Sequence, residues 1–212
     1  MMIHAYQEIY LNKAQALLGE AFDYAVNTCG IHGETFTRML IASSVCSGLE
    51  NGEPAILAGR SGIEFAREVV KETTGKSLDE EPCEQMGRSI EYWIGWAIAY
   101  YQWWSGKKFS VIFKAITYDD LSKLYYTLHE ADVTKFVEIV DARIQETFPQ
   151  TKLRRIRDTY GCTQEELAKM SGVGLRSIQM YEQRNKDINK ASVESVYSLA
   201  KALGCTVENL IE

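Results

Sequence analysis

The sequence predicts an all-α protein in two parts, an N-terminal helical bundle over residues 1–148 and a smaller five-helix domain over residues 151–212. Three observations carry that prediction. Apolar residues recur at spacings of three and four along nearly every segment, while the alternation of a half-buried strand is scarce. Helix starts and stops are written repeatedly, as Ser/Thr-x-x-Glu/Asp boxes and as single glycines after apolar runs. The charge balance changes near Pro149: residues 151–212 hold ten Lys/Arg against eight Asp/Glu, and residues 1–150 hold thirteen against twenty-one. An acidic part joined to a slightly basic one means that only the second is suited to meet a polyanion.

The first helix is expected from about Tyr6 to Thr28, with Ile9, Leu17, Ala21 and Val26 among its apolar positions and Gly30 as its stop. The second spans about Glu34 to Gly48 and carries Phe36, Met39, Leu40 and Val45. Ser61-Gly-Ile-Glu64 is a capping box: the serine oxygen accepts an orphan N–H and the glutamate reaches back. It opens a helix with Phe65, Ala66, Val69 and Val70 that stops near Gly75. Residues 76–87 are acidic and proline-broken, an exposed loop. A short apolar run, Phe109 to Ile116, precedes a second box, Thr117-Tyr-Asp-Asp120, and a last helix starts near Asp132 with Phe136, Val137, Val140 and Ile144.

All four tryptophans lie in one stretch, EYWIGWAIAYYQWWS, residues 91–105. A membrane span needs about 20 apolar residues, and this stretch is short and broken by Gly95, Gln102 and Ser105. As a helix it carries one stripe of Trp93, Trp96, Ala97, Tyr100 and Trp104, and a second, offset stripe of Ile94, Ile98 and Tyr101. A helix apolar nearly all round is the central one of a bundle, so burial of the tryptophan stripe is expected. Trp103 and Trp104 are adjacent and cannot both face one interior, which makes them the candidate anchors for a protein partner. A small-molecule aromatic cage is a further reading that nothing else in the sequence supports.

In the second part, Leu153, Ile156 and Tyr160 share a face of a helix ending at Gly161. Thr163-Gln-Glu-Glu166 caps a short helix with Leu167, Ala168 and Met170; Ser171-Gly-Val-Gly174 breaks it; and Leu175 to Arg184 form a third. Two short helices around a tight glycine turn are a helix-turn-helix. Ala168 is small where the helices cross, and Val173 and Ile178 are apolar where the pair meets a core. A fourth helix, about Lys190 to Leu203, carries Val193, Val196, Leu199 and Ala200, and Thr206 to Ile211 close the bundle.

A short helix with a bare N-terminal half fits the B-DNA major groove, about 12 Å wide. Leu175, Arg176, Gln179 and Met180 are then the outward positions: arginine pairs with guanine, glutamine with adenine, and leucine touches a thymine methyl. Gln164, at the positive end of the preceding helix, is placed to bond a phosphate. Arg184, Lys186 and Lys190 cluster beyond the recognition helix, where the DNA backbone would lie.

Residues Thr163-Gln-Glu-Glu-Leu-Ala168, Gly172-Val173, Ser177-Ile178, Tyr181-Glu182 and Leu199-Ala-Lys-Ala-Leu-Gly204 resemble the Cro/repressor (XRE-type) helix-turn-helix family. The resemblance implies a lambda-repressor-like fold and sequence-selective binding of double-stranded DNA as a homodimer on a two-fold site. Two positions depart from the family. Gly174 stands where a serine or threonine cap is common, and Met180 stands where many relatives carry a polar reader. The alternative is a helix-turn-helix that has become a protein-binding surface. In the first part, Leu18 to Val26, Glu91 to Trp96, Ala99 to Trp103 and Leu128-His-Glu130 are similar to helical regions that precede a Cro-type domain in proteins of Gram-positive anaerobes. Those are encoded beside small toxin-like proteins, which would imply an autoregulatory antitoxin with a toxin as its partner.

No enzyme, cofactor or metal site is expected. His4, His32 and His129 are isolated, Gly59-Arg-Ser-Gly62 lacks the lysine and spacing of a P-loop, and Cys29 with His32 is half a zinc site at best. Five cysteines without paired spacing read as reduced thiols, and the first residues lack the pattern of a signal peptide, so a cytoplasmic protein is expected.

Overall fold

The computed structural model describes residues 4–82 and 87–212. Every regular element among them is helical, and they fall into two compact units, residues 4–147 and 148–212. No helix among the described residues is long and apolar enough to cross a membrane. Residues 83–86 of the loop expected over 76–87, Cys83 among them, lie outside the described residues.

In the first unit a 3-10 turn, Glu8–Tyr10, leads into α1 (Leu11–Asp23), which runs on through a π-helical turn, Tyr24–Thr28. The helix expected over 34–48 is in fact two, α2 (Gly33–Ala42) and α3 (Ser44–Glu50). The chain breaks at Ser43, whose backbone is extended (ψ 144°) and whose hydroxyl accepts the Val45 N–H at 3.3 Å. Glu72 fixes the break from a distance: it accepts the Ser43 hydroxyl at 2.7 Å and the Ser44 N–H at 2.9 Å. A carboxylate 28 residues away thus supplies the cap, and nothing local announces it. The short α4 (Pro54–Leu57) and α5 (Gly62–Thr74) follow. Further on come α6 (Ile90–Ser105), α7 (Phe109–Ala115), α8 (Tyr118–Leu128) and α9 (Val133–Thr147).

The heart of this unit is the α1–α6 pair. Leu18, Ala21 and Phe22 of α1 and Ile94, Ile98 and Tyr101 of α6 are fully buried. The two backbones touch at Gly95, where an added Cβ would sit 2.2 Å from the Leu18 carbonyl oxygen. The tryptophan stripe, expected to be buried, is so only at Ala97. The offset stripe faces the core, because it shares its side with Gly95, while Trp93, Trp96, Tyr100 and Trp104 stand half-exposed on the flank.

Trp103 also departs from expectation. It is 4% exposed, its indole N–H donates to the Tyr6 carbonyl at 2.9 Å, and its ring stacks on His4 at 3.8 Å. The N-terminal segment covers it, with the Ala5 N–H bonded to the Trp103 carbonyl at 2.9 Å. Trp103 is thus core rather than a partner anchor; Trp104 remains half-exposed.

The three boxes read from the sequence all form, at Ser61/Glu64, Thr117/Asp120 and Thr163/Glu166. The Ser61 N–H and hydroxyl hold the Glu64 carboxyl below its ordinary value, the Thr163 N–H and hydroxyl do so for Glu166, and the Thr117 hydroxyl leads for Asp120. A depressed folded-state pKa stabilises fully above the unfolded value, about 3.9 for Asp and 4.3 for Glu, and is lost as pH falls through the lower folded value. Thermal melts of the chain are therefore expected to hold from pH 7 to about 5 and to fall on further acidification. The triple variant Glu64→Gln, Asp120→Asn, Glu166→Gln should begin less stable at pH 7 and show a shallower acid decline. An unchanged acid decline would count against the caps as its source.

The second unit holds α10 (Lys152–Tyr160), α11 (Gln164–Ser171), α12 (Leu175–Glu182), a 3-10 turn Ile188–Lys190, α13 (Val193–Ala202) and α14 (Val207–Leu210). Its core gathers Leu153, Leu167, Ile178, Tyr181, Leu199 and Leu210. Val173 and Ile178 face inward as expected, and Ala168 packs at their edge. Tyr160 and Val193, also expected to face inward, are 53% and 84% exposed.

Candidate nucleic-acid interface

Local sequence makes the helix-turn-helix. The Thr163/Glu166 box starts α11, and Gly172 ends it in the left-handed region (φ 73°), its N–H bonded to the Ala168 carbonyl. A side chain with a Cβ rarely adopts that conformation, which is why the turn is glycine. Gly174 then precedes α12 with no side-chain cap, as its identity predicts. Glycine at this position sacrifices only a few tenths of a kcal/mol relative to serine, so the helix still starts here.

Three polar side chains clamp α10, α11 and α12 together. The Arg157 guanidinium donates through Nε to Glu182 Oε1 at 2.6 Å, through Nη2 to Oε2 at 3.0 Å and through Nη1 to the Cys162 carbonyl at 2.7 Å. The Gln164 amide donates to the same Glu182 Oε2 at 2.7 Å. The Arg157 and Glu182 side chains are 10% and 2% exposed. The Glu182 hydrogen bonds raise the Arg157 pKa further, so the guanidinium stays charged. A two-bond fork between planar groups fixes angle as well as distance, and the angle it fixes is that of α12 against α10. The pair leaves no signal in the sequence, because its members lie 25 residues apart and neither forms a local motif.

On this frame Ile178, Tyr181 and Glu182 turn α12's inner face to the core. Arg176 is exposed, and Leu175, Gln179 and Met180 are partly exposed. The four proposed readers therefore sit on the outer side of one helix. Gln164 has one amide hydrogen engaged by Glu182; its NH2 group carries a second that a phosphate could accept. Glu165 and Glu166 share that first turn and offset its positive end. Lys186 is exposed with its ammonium 5.3 Å from the Tyr181 ring centre, and Lys190 is exposed with a weak pairing to Asp187 at 3.7 Å.

Arg184 corrects the expectation of a backbone contact. It takes a positive φ of 60°, and its guanidinium bonds Glu212 at 3.0 Å and the Phe148 carbonyl at 2.6 Å. Glu212 in turn accepts the Lys152 N–H at 2.6 Å. Arg184 therefore ties the two ends of this unit together, and its guanidinium is engaged within the unit. A basic residue just past a recognition helix carries the same sequence signal in either role.

No curated protein and no solved structure matches the chain. A helix-turn-helix family model matches residues 153–210, the stretch from α10 to the end of α14. That stretch is a helix-turn-helix domain of the Cro/C1 type, and it covers the clamp and all of α11 and α12.

Proposed function

We propose that the chain is a sequence-selective, double-stranded DNA-binding transcriptional regulator that reads bases with α12. The observation that carries this is an exposed Arg176 on the outer side of a helix whose inner side is locked by the Arg157–Glu182 fork. Lys186 and Lys190 lie in the turn beyond α12, where the phosphates would pass. In the finer form of this reading the protein represses its own gene as a dimer on a two-fold site. The acidic 4–147 unit then holds a small, basic, neighbour-encoded toxin; its negative balance favours a basic partner. The reading assigns no catalytic step to either unit.

Gel shift and anisotropy on the DNA upstream of its own gene test it. Saturable binding is expected to weaken linearly with log salt, by about 0.9 per phosphate neutralised. Arg176→Ala should weaken the preferred site by ~1–3 kcal/mol and random DNA far less. Lys186→Ala should weaken both alike and reduce the salt slope by about one. No shift at low salt and micromolar protein would overturn the proposal. It would favour a protein-docking role for α12, for which the half-exposed Met180 is suited.

A further inference from the structure

We infer that the 4–147 unit carries a binding site for a small planar aromatic acid, in the cavity between α6, α8 and α9. The cavity is about 400 Å³, within the range of small-molecule sites. Its walls are mostly rings. Trp93 lies edge-on to Tyr125 and to Phe136, with ring centres 5.6 Å and 5.7 Å away and planes at 76° and 79°. Trp96 lines the same wall one turn further along α6. Both tryptophans are half-exposed here, although Ile94 and Ile98 on the same helix are sealed.

These rings offer flat faces and edges to a flat guest, the arrangement that aromatic pairs favour. The charge of the guest follows from the rim. Arg88 lines the cavity just before α6, its guanidinium 4.8 Å from the centre of the Tyr92 ring. It is the one lining residue with a permanent charge among those described. Two acidic residues adjoin the lining residues His129, Ala131 and Val133 in the chain, and both have partners. Asp132 accepts the Thr134 N–H at 2.9 Å and its hydroxyl at 2.6 Å, and Glu130 lies 3.7 Å from His129 Nε2. A cage for a quaternary ammonium would be opposed by Arg88, whereas a carboxylate on a stacked ring would meet it. The site is independent of how the second unit meets DNA.

Calorimetric titration of the full chain with three probes of one shape tests this: 2-naphthoate, 2-naphthylmethanol and 2-naphthylmethylammonium. Naphthoate is expected to bind one to one at micromolar to sub-millimolar concentration, at least ten times tighter than the alcohol, with the ammonium weakest. Arg88→Gln should abolish the preference for the acid and leave the alcohol unchanged. Trp96→Ala should weaken all probes at least tenfold. Ala131→Trp, which fills the cavity from its rim, should do the same, and it answers the question if Trp96→Ala fails to fold. Equal affinity for the three probes, or full binding by the Ala131→Trp variant, would overturn the inference. So would no saturable binding at millimolar probe, which would leave the cavity to a side chain of a protein partner.

Discussion

Glu182→Ala is expected to unfold the second unit near physiological temperature while the first unit stays folded. Removing the carboxylate strands the Arg157 guanidinium in a site where its side chain is 10% exposed, with the Cys162 carbonyl and Asp158 as its remaining partners. It also frees the Gln164 amide. Breaking a buried pair from one side destabilises by about 3–5 kcal/mol, and a domain of this size has on the order of 3–10 kcal/mol in total. The melting temperature of the second unit should fall by at least about 12 °C. The two units can be followed separately, because all four tryptophans lie in α6. Tryptophan fluorescence reports the first unit alone, and far-UV circular dichroism reports both. The predicted result is an early loss of dichroism with an unmoved fluorescence transition. Replacing both partners, Arg157→Met with Glu182→Leu, should restore most of the stability, since no charge is then left unpaired. DNA binding should return only in part, because apolar packing sets the angle of α12 less tightly than a two-bond fork. A Glu182→Ala dichroism melt within 1 kcal/mol of the parent would show that the fork contributes little.

Gly95→Ala is expected to act on the other unit, moving the fluorescence transition and sparing the later dichroism signal. Alanine is the better helix former by about 1 kcal/mol, so an unpacked Gly95 would gain from the change. The new Cβ would instead lie 2.2 Å from the Leu18 oxygen, 2.5 Å from the Leu18 carbon and 2.8 Å from the Gly19 Cα. All three are backbone atoms, so no side chain can swing aside, and α1 and α6 must part along their length. Overpacking of this kind destabilises by ~1–3 kcal/mol, occasionally more. The clash is severe enough to outweigh propensity, giving a net loss of about 2 kcal/mol. Gly19→Ala is the control. Its Cβ would meet the Tyr92 ring and the Tyr92 carbonyl oxygen, both at 3.0 Å, a far milder approach than the 2.2 Å at Gly95, so its loss should be smaller. A Gly95→Ala protein as stable as the parent would mean that α1 and α6 do not pack backbone to backbone.

Features written within four residues were legible in the sequence. The Ser61, Thr117 and Thr163 boxes and the Gly172 turn form where they were read, because each is closed by atoms three or four positions apart. The helix-turn-helix followed from such signals laid end to end. Misreadings came where a distant partner decided the outcome. Glu72 split one expected helix in two. The N-terminal segment covered Trp103, which as a bare helical position looked free to dock a partner. Glu212 and Phe148 claimed Arg184.

The tryptophan helix shows the division most clearly. Its sequence determined that it would be a helix and that it would be central. Burial of the tryptophan stripe was expected from its hydrophobicity, and the structure places its large rings half-exposed on the flank. The reason is geometric: two helices approach most closely where one has no side chain, and Gly95 lies on the isoleucine side. Composition counts how much apolar surface a helix can hide. Which surface is hidden depends on the shape of the neighbour, and that shape exists only once the chain has folded.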